Sequence, residues 1–202
     1  DYDMFHYYSD NQIASIKDNQ LSSSHLVLNT ANIKIDITFD SLLQNTKSAM
    51  SFLRKMPLEC FQEILILDGQ YSGNITYLGT EMKSFGKLYQ EKTYWTKLPN
   101  KWIWLQSNHP VRSNASITLA VGMIPLKKMR VKGFFLLIHH EKTTYRFASY
   151  NMSKVITEEY NGNITLSFVK KGYKAIIKTS MIDPVKLVGP RKDGKMDLEV
   201  FE

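Results

Sequence analysis

The sequence predicts an all-β protein, a sandwich or barrel of antiparallel strands with few helices. The first observation is a period of two, because polar and apolar residues alternate over 32–39, 116–121 and 163–168. Alternation of this kind turns one set of side chains toward a core and the other toward water. The second observation is the regular spacing of turn signals between these stretches, which is typical of sandwiches and barrels.

Turn signals divide the chain into the individual strands. The predicted turns that contain glycine are Asp68-Gly69, Ser72-Gly73-Asn74, Asn161-Gly162-Asn163 and Lys171-Gly172-Tyr173. Basic residues 127–130 lie between two apolar runs and predict a hairpin turn. The polar stretch 41–52 predicts a loop or one short helix. We expect a division near Gly86, with part of a first β unit in residues 1–85 and a second β-barrel-like unit in residues 86–202.

The charge balance favours a solvated surface over a nucleic-acid site. The 26 Lys and Arg residues outnumber the 19 Asp and Glu residues, which gives a net charge of +7. Many of the lysines alternate with apolar residues, as Lys34, Lys174 and Lys178 do, and this is the pattern of an exposed sheet face. We therefore predict no nucleic-acid partner. No apolar run approaches the roughly 18 residues of a membrane span, so no integral membrane segment is predicted either.

Metal and cofactor chemistry find no support in the sequence. Cys60 is the single cysteine, which excludes an internal disulfide and a multi-cysteine zinc site and fits a cytoplasmic protein. His139 and His140 are adjacent at the end of an apolar strand and would face opposite sides, so they are poorly placed to chelate one metal. No glycine-rich phosphate loop is present. No metal and no cofactor are predicted.

Residues 102–109 form the strongest candidate for a binding surface. In a strand, Trp102, Trp104, Gln106 and Asn108 would share one face. Two indoles followed by two amides suit a barrel or cleft that holds an apolar ligand with a polar end. In the alternative interpretation, the tryptophans fill the core and the amides bond to the backbone in a corner. The predicted ligand-binding set is Trp95, Trp102, Trp104, Gln106, Asn108 and His109.

Two glutamates are candidates for a catalytic acid. Glu59 lies among apolar neighbours, where burial would raise the pKa of its carboxyl group and let it donate a proton. Glu91 is followed by Lys92, so a surface ion pair is its alternative role. Structural roles compete with catalysis at both positions.

Several elements, taken in order, resemble the bacterial tocopherol cyclase family. The most specific is Trp-X-Trp-X-Gln-X-Asn-His at 102–109, and further similar stretches are 57–61, 89–92, 120–125, 133–135 and 145–151. The resemblance implies a lipocalin-like calycin architecture, related to carotenoid hydratase and other two-barrel proteins. The plant enzyme of the family closes the chromanol ring of vitamin E, which requires an acid and an apolar cavity.

The sequence departs from the family at polar positions. After Glu91 and Lys92 the family continues with Asp-Trp-Gly, where this chain has Thr93, Tyr94 and Trp95. The carboxylate best placed to donate a proton is therefore missing. Family members also extend beyond both ends of this sequence, so we expect the chain to lack some of their strands.

Three hypotheses follow. The leading one is a lipocalin-like protein that binds a prenyl-, quinone- or lipid-like molecule without catalysis, as a degenerate member of the family. The alternatives are an active cyclase or hydratase with a glutamate acid, and a structural β module that binds a partner through its basic face. The oligomeric state stays open.

Overall fold

The prediction of an all-β protein is confirmed. The structure, a computed structural model, describes residues 5–8, 13–45, 47–99, 101–109, 114–180, 186–190 and 196–201. These residues form sixteen strands and one short 3-10 helix, Ser51–Lys55. The strands are β1 (Phe5–Tyr8), β2 (Ile13–Ile16), β3 (Asn19–Leu21), β4 (His25–Asn29), β5 (Ile33–Gln44), β6 (Cys60–Tyr77), β7 (Thr80–Trp95), β8 (Trp102–Ser107), β9 (Ala115–Leu126), β10 (Met129–His140), β11 (Thr143–Ala148), β12 (Lys154–Tyr160), β13 (Asn163–Lys170), β14 (Tyr173–Ser180), β15 (Lys186–Pro190) and β16 (Met196–Phe201).

The strands form four sheets in which neighbours in space are neighbours in the chain. Strands β1 to β7 make one sheet in sequence order, β8 to β11 make a second, β12 to β14 a third, and β15 pairs with β16. Every pairing whose register is described is antiparallel. Short connections between consecutive strands favour this arrangement, because a tight turn can join only antiparallel neighbours. No helix in the described part of the chain is long and apolar enough to cross a membrane.

The contacts divide the chain into two compact units. Unit 1 contains residues 1–48, 64–92 and 107–116, and unit 2 contains 49–63, 93–106 and 117–202. The division therefore alternates along the chain, and β6, β7, β8 and β9 each contribute residues to both units. Gly86 lies inside β7, and the domain boundary at that position stays a prediction.

Two of the predicted turns are wrong, because their glycines serve close strand packing instead. Both Gly69 and Gly73 lie inside β6. Gly73 pairs with Ile37 of β5, and a Cβ atom at Gly73 would lie 2.2 Å from the Asp36 carbonyl oxygen. Gly69 faces a bulge where two β5 residues oppose one on β6. Glycine inside a strand commonly marks such a close approach or bulge.

The other local predictions are mixed. The turns at 161–162, 171–172 and 127–128 are confirmed, and a further turn at 141–142 follows His140 at the end of β10. The interpretation of 41–52 is only partly right, because β5 continues to Gln44 and the short helix begins later, at Ser51. The bulge opposite Gly69, with Ser41 at a φ of 50°, lets β5 continue through this polar stretch.

Unit 2 has a well-defined hydrophobic core. Its buried members come from β9, β10, β11 and β13, and they are Leu119, Val121, Leu136, Phe147, Leu166 and Phe168. The three phenylalanine rings Phe134, Phe147 and Phe168 pack with centroids about 6 Å apart, at 5.9 and 6.2 Å. This core is the support on which β8 lies.

Candidate functional site

The predicted two-faced character of β8 is confirmed. Ile103 and Leu105 pack against the core of unit 2. Trp102 and Trp104, on alternate positions, keep 38% and 43% of their surface exposed. The exposure contradicts the alternative in which both indoles fill the core. The structure therefore leaves an apolar aromatic face where the sequence predicted a ligand surface.

Backbone hydrogen bonds bring several chain segments of unit 2 together near Glu59. The Glu59 carbonyl oxygen accepts from the amides of Thr96 and Lys97, at 2.9 and 3.2 Å. The Glu59 amide donates to the Pro125 carbonyl at 3.3 Å. Through these bonds the residue before β6 is tied to the end of β7 and to the end of β9. Trp95, the last residue of β7, is 37% exposed beside this junction.

The start of β8 lies against the same strand, β9. The Met123 amide donates to the Lys101 carbonyl at 3.2 Å. A Cβ atom at Gly122 would lie 3.4 Å from the Cβ of Trp102 and 3.8 Å from that of Pro99. Strand β9 thus contacts Trp102 through Gly122 and Glu59 through Pro125, three residues further along.

The Glu59 side chain has a hydrogen-bonding capacity that the described structure does not use. Its Oε2 atom is buried, and no hydrogen-bond partner for it is found in the described part of the chain. A buried carboxyl oxygen without a donor costs free energy, so such an atom is notable. A hydrogen-bond donor on a ligand would satisfy this oxygen.

The two amides of the predicted face have different environments. Gln106 has a buried Nε2 atom that finds no acceptor among the described residues. Asn108 is engaged, because its Nδ2 atom donates to the Leu88 carbonyl at 3.0 Å and approaches Asp68 Oδ1 at 3.4 Å. The backbone-bonding alternative therefore describes Asn108 but not Gln106. Asn108 belongs to unit 1 and Gln106 to unit 2.

An ion pair that the sequence did not reveal fixes Asn108. The Lys87 Nζ atom lies 3.1 Å from both carboxylate oxygens of Asp68. The Gly69 amide also donates to Asp68 Oδ1 at 3.0 Å. Asp68 lies in a predicted turn. Its hydrogen-bond partners, Lys87 and Asn108, are 19 and 40 residues away in the sequence. The β6–β7 pairing could have indicated Lys87, whereas Asn108 lies on neither of these strands.

The other candidate acid, Glu91, lies in unit 1. The Tyr89 hydroxyl donates to Glu91 Oε2 at 2.5 Å. This hydrogen bond occupies one oxygen of the Glu91 carboxyl group. His109, also in unit 1, is exposed.

Unit 2 adds one further aromatic contact and one thiol near Glu59. The rings of Phe61 and Tyr94 stack with centroids 5.0 Å apart, which joins the start of β6 to the end of β7. Burial raises the pKa of the Cys60 thiol, so it stays protonated and is a poor nucleophile at neutral pH. Among the described residues there is no group of three His, Cys, Asp or Glu side chains that could hold a metal ion.

Comparisons with known proteins give one family. A family model described as "Tocopherol cyclase-like" matches residues 8–197. A search of curated proteins finds no match. Among solved structures, a crystal structure titled as a candidate AttH protein from Nitrosomonas europaea aligns with a TM-score of 0.41 and 9% identity, over 82% of this chain and 52% of that one. The chain thus spans about half the length of that structure.

Proposed function

The chain belongs to the tocopherol cyclase-like family, and from this membership we propose that it binds a hydrophobic small molecule of the prenyl, quinone or lipid type. The proposed ligand surface is the exposed tryptophan face of β8 in unit 2. In this proposal the protein is a binding protein or a degenerate enzyme rather than a working cyclase.

The observation that carries the proposal is the exposure of indoles beside a filled core. Trp95, Trp102 and Trp104 are the three tryptophans of the chain, and each keeps more than a third of its surface exposed. Indole rings have large apolar faces that gain free energy on leaving water. The core side of β8 is occupied by Ile103 and Leu105, and Trp102 and Trp104 lie at the alternate positions, where an exposed part of each indole can contact a ligand.

The polar end of the ligand would be recognised by two buried polar atoms that have no hydrogen-bond partner in the described part of the chain. The buried Nε2 atom of Gln106 can donate a hydrogen bond to a quinone, hydroxyl or carboxyl oxygen. The buried Oε2 atom of Glu59 can accept one from a hydroxyl group. These roles suit a molecule that has an apolar body and one oxygenated end. Asn108 and His109 remain predicted contacts.

Replacing both β8 tryptophans tests the proposal. We expect Trp102→Ala with Trp104→Ala to weaken binding of a short-chain prenylated quinol at least about tenfold, because each buried aromatic side chain contributes about 1.5–3 kcal/mol. Isothermal titration calorimetry measures the affinity without using tryptophan fluorescence. The matched control is Tyr77→Ala with Phe85→Ala, which removes two exposed aromatic residues from unit 1. The proposal fails if wild type binds no prenylated quinol or lipid, or if the control loses as much affinity as the tryptophan variant.

A second candidate function is an active cyclase with Glu59 as the acid. The specific observation in its favour is the buried Oε2 atom of Glu59, which has no hydrogen-bond partner among the described residues, because a general acid needs a carboxyl oxygen that the protein does not already occupy. In this reaction the acid protonates the prenyl double bond, the quinol oxygen attacks the resulting cation, and the hydroxyl proton leaves to restore the acid. Thr93, Tyr94 and Trp95, in place of Asp-Trp-Gly, count against it.

Turnover of a prenylated quinol separates the two functions. If the cyclase hypothesis is right, wild type forms the cyclic product and Glu59→Gln lowers the rate at least about a hundredfold, the usual scale of a general acid. Glu59→Gln should retain ligand affinity, and Glu91→Gln should retain activity. Liquid chromatography with mass spectrometry measures the product. Absence of product with wild type, or full activity in Glu59→Gln, would reject Glu59 as the acid.

A further inference from the structure

The positive charge of the chain is concentrated in part of unit 2. Residues 142–157 and 160–180 contain seven of the 26 Lys and Arg residues and none of the 19 Asp and Glu residues. The remainder of the chain carries equal numbers of basic and acidic residues. Glu158 and Glu159 lie between the two segments, so residues 142–180 as a whole carry a net charge of +5 and include β11 and the sheet β12–β14.

Strand register gathers four of these lysines at one end of the sheet. Lys154 of β12 pairs with Val169 of β13, which pairs with Lys174 of β14. Lys170 and Lys171 come next, at the turn that joins β13 to β14. The Nζ atom of Lys132 on β10 approaches the Val155 carbonyl at 3.5 Å and adds a fifth positive charge nearby.

The nearest acidic residues of the same sheet lie at its opposite end. Glu158 and Glu159 pair with Thr165 and Ile164, beside the turn at 161–162. Four or five residues of strand separate them from Lys154, which corresponds to about 13–17 Å. This distance exceeds the Debye length of about 8 Å at physiological ionic strength, so the two glutamates reduce the positive potential at the lysines only a little.

Exposed apolar side chains accompany the lysines. Met152, just before β12, is 92% exposed, and Tyr173, the first residue of β14, is 57% exposed. Val169, between Lys154 and Lys174, is 41% exposed. We call Met152, Lys154, Lys170, Lys171, Tyr173 and Lys174 the basic tip.

We propose that the basic tip docks the protein on an anionic lipid surface. Lysines near a negatively charged bilayer are attracted to it, and each contributes a factor of about five to the affinity. A thioether and a phenol ring beside them can enter the interface, where amphipathic aromatic side chains are stabilised. The inference goes beyond the proposed function and involves none of the residues of the proposed ligand surface.

The composition of the basic tip favours a lipid surface over the alternatives. Nucleic-acid sites combine phosphate contacts with side chains that read or stack on bases, commonly with arginine, whereas all four basic residues of the tip are lysines. A second copy of the same face would place lysines opposite lysines, which is repulsive. Lipid headgroups require only a field of positive charge and tolerate an inserted apolar side chain.

Vesicle sedimentation with the full chain tests the inference. We expect binding to vesicles that mix phosphatidylglycerol with phosphatidylcholine, and little binding to phosphatidylcholine alone. Raising the salt from about 0.1 M to about 1 M shortens the Debye length from about 10 to about 3 Å and should release the protein. The variant Lys154→Gln, Lys171→Gln, Lys174→Gln should bind the anionic vesicles roughly a hundredfold more weakly. Met152→Ser should weaken binding in a salt-independent way.

The control variant is Lys17→Gln, Lys34→Gln, Lys83→Gln, which removes the same charge from exposed lysines of unit 1. It should retain most of the binding. Equal losses in the two triple variants would overturn the inference, as would equal binding to both kinds of vesicle. Displacement of the protein by millimolar inorganic phosphate would also overturn it in favour of a soluble anion, and tighter binding to a DNA duplex would overturn it in favour of a nucleic-acid site.

Discussion

The side chain of Asn151 stabilises the turn that follows β11. Its Oδ1 atom accepts from the Ala148 amide at 3.0 Å and from the Ser153 hydroxyl at 2.6 Å. Its Nδ2 atom donates to the Arg146 carbonyl at 3.1 Å. The side chain thereby supplies the hydrogen bonds that β11 loses where it ends. Asparagine is suited to this role because its amide has both a donor and an acceptor.

We expect Asn151→Ala to lower the free energy of unfolding by about 2 kcal/mol, since it leaves partly buried backbone groups unpaired. Urea denaturation measures the change through the midpoint and slope. The matched control is Asn74→Ala, which replaces another asparagine that begins an Asn-X-Ser/Thr sequence but is exposed on β6. It should change stability by less than about 0.5 kcal/mol. Equal effects of the two substitutions would contradict the structural role of Asn151.

The residues of the candidate site differ in how far the sequence predicts their environments. Alternation of the sequence predicted correctly which β8 side chains face the core and which face away. It could not predict that Asn108 bonds to Leu88, or that the buried Nε2 atom of Gln106 finds no acceptor within the described ranges. The partners of an amide depend on strands that are distant in the chain, and a single strand carries no record of them. The sequence shows that Glu59 has apolar neighbours. The structure adds the backbone hydrogen bonds that tie this residue to the ends of β7 and β9.

At the scale of elements, the pairing of β5 with β6 depends on glycine. The two backbones approach so closely at Gly73 that a methyl group would lie 2.2 Å from the Asp36 carbonyl and 2.7 Å from the Ile37 Cα atom. Both of these contacts are with backbone atoms, which cannot rotate away as a side chain can. The register of the long pair therefore requires a residue without a side chain at this position.

We expect Gly73→Ala to destabilise the protein by about 1–3 kcal/mol, the usual cost of overpacking. Hydrogen exchange should locate the loss of protection in β5 and β6. Gly122→Ala is the control, because its added methyl group would make only ordinary contacts at 3.4 Å or more. An unchanged exchange rate at β5 in Gly73→Ala would mean that the close approach does not determine the pairing.

At the scale of the whole molecule, charge and fold have different origins. The all-β class follows from a property that every strand carries, the alternation of polar and apolar residues. The net charge is instead unevenly distributed, because residues 142–180 alone carry a net charge of +5 of the chain's +7. Composition suggested an evenly solvated outer surface. The strand register places Lys154 and Lys174 on either side of Val169 and creates the basic tip.

The sequence by itself determined the all-β class, most of the hairpin turns, the two faces of β8 and the family. These depend on neighbouring residues, and hydropathy at a period of two is enough to specify them. Only the tertiary structure decided that Gly69 and Gly73 lie within a strand, that Asp68 pairs with Lys87, and which amides and carboxyl oxygens lack partners. The reason is that a glycine, an acid or an amide is compatible with several environments. The neighbouring strand of the sheet, which can be distant in the sequence, determines which of these environments is formed.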